Sequence, residues 1–322
     1  MVIYYFLGRD NMKIIVTGAT GFVGKNLIPT LLEQQHVVFL IGRDLAKIYK
    51  IFGENVNALM WNQLEDILPD DIDAVINLAG ENIGDGLWTK AKKARIKTSR
   101  VNAANQIVKW VLRYRQKKPH IYNASAIGIY GLQNNDNNEP FIETSPIPFG
   151  QPTDFLSDVA QAWEGALKPA IEAGIPVTFM RFAVVLKCKE GVLKKLEPSF
   201  SLGLGSILGK GNQPFTWIHI DDLIAGIHFL LGHPNVIGPV NLCSPSCVSQ
   251  KEFAKTLAAA MKRPLMIKTP NWIIKILLGQ MGVELLLKGQ AVAPKRLLEL
   301  GFKFNYPDLN ALFSYLKSNY YP

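Results

Sequence analysis

Cysteine is scarce: Cys188, Cys243 and Cys247 are the only three in 322 residues. An odd number makes no disulfide framework, and the Cys243-x-x-x-Cys247 pair has no histidine nearby to complete a metal site. A reducing, cytoplasmic setting fits such usage. No apolar run is long enough to span a bilayer. Met1–Asn11 (MVIYYFLGRDN) is too short for a signal peptide and lacks its basic start. Because Met12 directly precedes the first strand pattern, the true start of the chain is expected there, with 1–11 an upstream N-terminal extension. Internal repeats and low-complexity tracts are absent. A nucleic-acid motif is missing too, although the formal charge is +9. The basic residues are scattered, and the clusters at Lys90–Arg95 and Arg113–Lys118 read as solvated helix faces. An anionic cofactor or substrate accounts for part of the surplus. The expected partner is therefore a small molecule, with no nucleic acid and no membrane; oligomeric state is not legible.

At 48% hydrophobic and 19% charged the chain is ordinary for a globular protein of one or two domains. Its most informative stretch is Lys13–Ile28, KIIVTGATGFVGKNLI. Ile14–Thr17 reads as a short buried strand, Gly18, Gly21 and Gly24 follow, and an apolar pattern of helical spacing runs from Phe22 to Leu32. Strand, glycine turn and helix form the first half of a dinucleotide-binding unit. One glycine permits the tight turn, one admits the pyrophosphate, and one lets helix and strand pack closely. The helix end offers free N–H groups to the phosphates. Thr20, Phe22 and Val23 complete this candidate cradle.

A second strand, Val37–Ile41, ends in Gly42-Arg43-Asp44. An acid at this point would grip the ribose hydroxyls of NAD, whereas Arg43 offers a charged fork to the 2′-phosphate of NADP. Asp44, one residue later, keeps the ribose alternative open. Asp73–Leu78 is the next buried strand, and Leu78, Ala79, Gly80 and Glu81 close it with small residues over which a cofactor can lie. Trp88–Arg115 is a long helical stretch carrying Arg100, which is either a phosphate contact or an exposed helix arginine. His120–Ala124 is a strand delivering Ser125, Asp154–Ala173 a helix, and Val177–Arg181 a further strand. GLGSILGKGNQ reads as loop, Pro239–Leu242 as another short strand, and the chain from Ser249 onward as mainly helical. This alternation predicts an α/β fold: a doubly wound parallel (Rossmann) sheet with a smaller, mainly helical C-terminal substrate lobe. The expected division is a Rossmann domain over 12–185, completed by about 217–245, and a lobe made of 186–216 and 246–322.

The spelling TGATGFVG resembles the cofactor loop of the extended, epimerase-like short-chain dehydrogenases. Together with INLAGENI, Ser99-Arg100, SAIGIYG, Trp163-Glu164, GLGSILGKGNQPFTWIHIDDL and QAVAPKRLLELGFKFNYPDL, it resembles one branch closely. That branch is the epimerase family of atypical short-chain dehydrogenases (the YfcH-like proteins), which ends in a small domain of unknown function. The resemblance covers nearly the whole chain from Met12. It implies binding of NADP(H), with Arg43 and Arg100 as phosphate contacts. Its members are labelled sugar nucleotide epimerases, and some cell-division inhibitors.

In the wider superfamily a serine polarises the substrate carbonyl, a tyrosine moves the proton, and a lysine four residues later lowers the tyrosine's pKa and binds the nicotinamide ribose. Ser125 is the counterpart of the serine. Counting back from Glu164 puts Leu156 at the tyrosine's place and Ala160 at the lysine's, so the proton-transfer pair is missing and Ala160 remains only as a residue beside the cofactor. Tyr130 is a substitute acid/base or a residue lining the crevice. Glu81 and Asp158 are weaker candidates, and His219 reads as structural. Two functions follow: an NADP(H)-dependent epimerase or reductase acting on a small oxygenated substrate, such as a nucleotide sugar, or a cofactor-binding sensor or partner-binding protein that has lost catalysis.

Overall fold

The computed structural model describes residues 11–133 and 139–321, so the expected extension falls, except for Asn11, outside the described residues. In chain order the elements begin with β1 (Lys13–Thr17), α1 (Phe22–Glu33), β2 (Val37–Gly42), α2 (Leu45–Phe52), β3 (Asn57–Met60), β4 (Ala74–Asn77), α3 (Lys90–Val111) and β5 (His120–Ala126). They continue with α4 (Phe155–Gly165), α5 (Lys168–Glu172), β6 (Val177–Phe182), β7 (Val184–Lys187), α6 (Gly191–Ser201), β8 (Ser206–Leu208), β9 (Pro214–Phe215), β10 (Trp217–His219) and α7 (Ile220–Gly232). Then come β11 (Gly238–Leu242), β12 (Val248–Ser249), α8 (Gln250–Ala260), β13 (Ile267–Thr269), α9 (Asn271–Gly282), α10 (Lys295–Glu299) and α11 (Leu309–Asn319).

Seven strands form one parallel sheet in the order β11-β6-β5-β4-β1-β2-β3. The order reverses between β1 and β4, and the crevice beyond the strands' carboxyl ends at such a reversal is where open α/β sheets take their ligands. Both faces of the sheet are covered, which is why its strands read as apolar runs. Ile14, Val16, Ile76 and Tyr122 point into one core with Leu27 of α1 and Leu223 of α7. Ile15, Val75 and Ile121 point into the other with Ala104 and Ile107 of α3. A third core, built on Trp217, Phe253, Leu257, Leu312 and Leu316, lies in the mainly helical C-terminal portion.

Several details differ from the sequence expectation. The stretch 154–173 is two helices rather than one: Gly165 ends α4, and Pro169 in the first turn of α5 has no N–H with which to continue the ladder. GLGSILGKGNQ is not all loop, since β8 lies within it and pairs in parallel with β13; its flanking glycines hide a three-residue strand. The pair α2 and β3, silent in the sequence reading, extends the sheet to its edge.

Candidate functional site: a dinucleotide crevice

The glycine turn is built for close approach. Gly18 has φ +71°, and a Cβ there would stand 2.5 Å from the Leu78 carbonyl carbon. A Cβ on Gly24 would stand 2.5 Å from the Ala19 carbonyl oxygen. The Gly21 N–H donates to the Gly18 carbonyl at 2.9 Å, closing the turn. Gly21 is the N-cap of α1 and has no side chain to satisfy the first N–H groups. They therefore remain available to an anion, reinforced by the helix dipole. Thr20, Phe22 and Val23 are half-buried around this end. A cradle in which added side chains collide with backbone, facing an uncapped helix end, fits a dinucleotide pyrophosphate.

Beneath the crevice runs a chain of buried polar groups across three neighbouring strands. The Thr17 hydroxyl donates to Asn77 Oδ1 at 2.6 Å, and Asn77 Nδ2 donates to Asn123 Oδ1 at 2.6 Å. Asn77 Oδ1 also accepts the Ala79 N–H at 3.2 Å. All three side chains are fully buried, so these bonds tie the ends of β1 and β4 to the middle of β5 and hold Ala79 by its N–H. The sequence reading missed this chain; the signal was polar residues at equivalent places in otherwise apolar strands.

At the end of β2, Arg43 is exposed, and a Cβ on Gly42 would meet Ile48 Cδ1 at 2.7 Å. The Asp44 carboxylate accepts the Lys47 N–H at 3.0 Å as N-cap of α2, which answers its role in the fold. Glu81 lies among cations. Lys92 donates to its carboxylate at 2.8 Å and Arg95 Nε stands 3.7 Å away. The Lys92 bond is the main cause holding the Glu81 carboxyl below its usual range, with Arg95 and Arg43 adding to it. Arg100 arches over Gly80, where a Cβ would lie 3.0 Å from Cζ, and its Nη1 donates to the carbonyls of Glu81 and Ile96 at 3.0 and 2.9 Å. Its guanidinium also stacks 5.0 Å from the Trp163 ring. Burial brings Arg100 down to about 10, still charged at neutral pH. Arg43, Lys92, Arg95 and Arg100 thus surround one carboxylate beside the crevice; Lys92, within the Lys90–Arg95 run expected to be a solvated face, is instead buried against Glu81.

Ser125 and Tyr130 come together, but inside one buried network. The Ser125 hydroxyl donates to Glu164 Oε1 at 2.7 Å, and Glu164 is gripped at both oxygens by Arg181, at 2.9 and 3.0 Å. Arg181 Nη1 donates to the Tyr130 hydroxyl at 2.9 Å, which in turn donates to Asn241 Oδ1 at 2.8 Å. Ser125 is 2% exposed and Tyr130 6%. Burial pushes the Tyr130 phenol up, against the pull of Arg181. Leu156 and Ala160 lie on α4; Ala160 is buried, and Leu156 Cβ would meet a Cβ on Gly128 at 3.2 Å. Asp158, also on α4, is paired to Lys97 at 2.8 Å. Glu164 and Arg181 were missed as a pair, although an arginine within the apolar strand VTFMRF signals a buried cation that needs a partner.

His219 and the C-terminal segment frame the lobe. His219 Nδ1 accepts the Asp221 N–H at 3.4 Å at the start of α7, and Asp222 takes the N–H groups of Asn305 and Tyr306 at 2.7 and 2.9 Å. Glu284 reaches back to the start of α4, accepting from Phe155 N at 3.4 Å and Leu156 N at 3.2 Å. The described residues hold no His/Cys/Asp/Glu cluster fit for a metal ion.

Fold and crevice together define a nucleotide-binding protein of the extended short-chain dehydrogenase type. Comparison with known proteins gives the particular family. Residues 14–243 match the NAD dependent epimerase/dehydratase family, and 269–316 match a domain of unknown function, DUF1731. The chain belongs to that epimerase family. It is 32% identical over 309 residues to the epimerase family protein YfhF of Bacillus subtilis, covering 95% of this chain and 98% of that one. With the epimerase family protein SERP0438 of Staphylococcus epidermidis it shares 34% identity over 310 residues, or 95% and 99% of the two chains. Among solved structures, it is similar to the human epimerase family protein SDR39U1 with NADPH, at a TM-score of 0.83 and 28% identity, covering 96% of this chain and all of that one. A UDP-glucose 4-epimerase of Thermotoga maritima with UDP-glucose, 18% identical at a TM-score of 0.71, shares the fold.

Proposed function

We propose that the protein binds NADP(H) in this crevice and uses it as an epimerase or reductase on a small oxygenated substrate of the nucleotide-sugar class. The observation that carries the cofactor assignment is the end of β2. Arg43 is exposed there, and the acid next to it in the chain, Asp44, is occupied in capping α2. A site without a free acid at this place favours a 2′-phosphate over a bare ribose. The NADPH in the SDR39U1 structure supports the same reading. Pyrophosphate would lie on the start of α1, the adenosine toward Arg43, and the nicotinamide toward Ala79, Gly80 and Ala160. When bound, the nicotinamide supplies or accepts hydride. The chain's own contribution is to fix it over Leu78-Ala79-Gly80 and to hold Ser125 and Tyr130 through Glu164 and Arg181.

Replacing Arg43 by alanine weakens NADPH binding by roughly 1–3 kcal/mol, the range for hydrogen bonds to charged groups. NADH binding stays nearly unchanged. Titration of both cofactors by nicotinamide fluorescence measures the difference, and equal losses for the two defeat the 2′-phosphate assignment.

A second reading has its own observation. The Ser125 hydroxyl is committed to Glu164 at 2% exposure, and neither Leu156 nor Ala160 can exchange a proton. A cofactor-binding sensor without turnover accommodates both facts. NADPH deuterated on the nicotinamide, incubated with the protein and a cell metabolite extract, separates the two. Deuterium entering a small molecule, and ceasing to do so in Ser125→Ala, is the result the enzyme reading expects. Tight NADPH binding with no transfer to any tested carbonyl compound or sugar nucleotide is the result the sensor reading expects.

A further inference from the structure

The five most exposed large apolar side chains among the described residues are Met266 (86%), Leu202 (74%), Ile276 (74%), Leu277 (65%) and Trp272 (63%). They lie on adjoining elements of the C-terminal portion. Leu202 follows α6, where the Arg263 guanidinium donates to the Ser201 carbonyl at 2.7 Å and a Cβ on Gly203 would meet Pro264 at 3.6 Å. From there β8 pairs with β13, whose first residue follows Met266, and Gly209 N–H donates to Thr269 just before α9. Helix α9 is apolar nearly all round. Ile274 is buried against the lobe, while Trp272, Ile276 and Leu277 face away from it. An apolar outer face on a surface helix asks for something to cover it.

The charged residues within the two segments that carry this ridge have one sign. Residues 202–213 and 261–283 contain Lys210, Lys262, Arg263, Lys268 and Lys275 and no aspartate or glutamate. All five cations are exposed, and none forms an ion pair among the described residues. A second copy of the chain is a poor match: a two-fold contact sets each cation against its own kind. Lys268 also guards the open edge of β13 against strand pairing. The acid that follows α9, Glu284, is buried and turned to Gln280 and the start of α4. Protruding apolar side chains among exposed cations remain, the features of a helix lying in an anionic lipid interface, with its apolar face below the headgroups and lysines among the phosphates.

We infer that α9 and the adjoining β8–β13 edge dock the protein on membrane surfaces bearing anionic lipid headgroups. The contact is peripheral, since no helix among the described residues is long and apolar enough to cross a membrane. It departs from the expectation of no membrane partner, which rested on the lack of a spanning run. It is independent of what the crevice binds.

The test is co-sedimentation of the full chain with vesicles of phosphatidylcholine alone and of phosphatidylcholine mixed with phosphatidylglycerol. The protein is expected to sediment with the second and not the first, and to be released as salt is raised. Lys268→Glu/Lys275→Glu lowers the partition coefficient on the order of tenfold or more. Trp272→Ala/Ile276→Ala removes binding as well, and unchanged thermal unfolding midpoints show that both variants fold. Absence of binding to anionic vesicles, or binding untouched by both variants, overturns the inference. So does a dimer in sedimentation equilibrium that Trp272→Ala/Ile276→Ala dissolves, which makes a second copy the occupant.

Discussion

Glu164→Ala costs the fold about 3–5 kcal/mol, the range for removing one partner of a buried ion pair. The pair's side chains are 3% and 4% exposed, so the Arg181 cation left behind gains almost no water. Two Arg181 donors and the Ser125 hydroxyl lose their acceptor together, while Tyr130 keeps an unbalanced guanidinium at 2.9 Å. The thermal midpoint falls on the order of 10 °C, as calorimetry measures. The control is Glu164→Met/Arg181→Met, which removes both charges at similar volume and recovers much of the loss. If the single variant melts like the parent, the network is not the anchor of Ser125 and Tyr130 described above.

Acid destabilises the protein well before its carboxylates titrate. His120, His219 and His228 are each pushed down to about 4, in every case mainly by burial. Asp221 partly opposes the shift at His219, and His36 adds to it at His228. Each ring is neutral in the fold and takes a proton in the unfolded chain near pH 6.5. Between about 6.5 and 4 the unfolded state therefore binds more protons, and stability falls as pH is lowered through that window. One such histidine contributes up to roughly 1.4 kcal/mol per pH unit, and the three together roughly 4 at the steepest point. Asp222 and Glu143, both raised by burial, pull the other way just above their ordinary values and soften the acid end. Urea unfolding followed from pH 7 to 5 reads the slope. A flat profile shows that these rings take up protons without unfolding.

What the sequence disclosed and what it withheld separate by distance along the chain. Gly18, Gly21 and Gly24 are legible because turn, phosphate approach and helix packing are all local demands within seven residues. The doubly wound sheet is legible because both faces of each strand are apolar, and the family resemblance agrees with the seven parallel strands observed. Arg43 is legible by its place after β2, whereas Asp44's occupation as a helix cap needs the start of α2. Glu164 and Arg181 lie on a helix and a strand 17 residues apart, so spacing reveals a buried cation without naming its partner. Lys92 and Glu81, 11 residues apart, meet only because the loop between them folds back onto α3. The small strands β8 and β13, 63 residues apart in their Ser206–Thr269 side-chain bond, are invisible to any short window.

Asp154 caps α4 locally, and a second carboxylate, Glu284, reaches the same helix start from 128 residues after the Leu156 N–H it receives. The segment that begins at Asn305 is clasped by Asp222, and Phe141 exchanges backbone bonds with Ala291 and Ala293. A nascent chain leaving the ribosome therefore completes its glycine turn and the Asp154 cap of α4 early, yet lacks the second carboxylate at the start of α4 until Glu284 has been added. The order of translation places the glycine turn well ahead of the contacts that secure the opposite wall of the crevice. A chain released early, short of Glu284, has its glycine turn but not the ties that join α4 and Phe141 to the C-terminal portion.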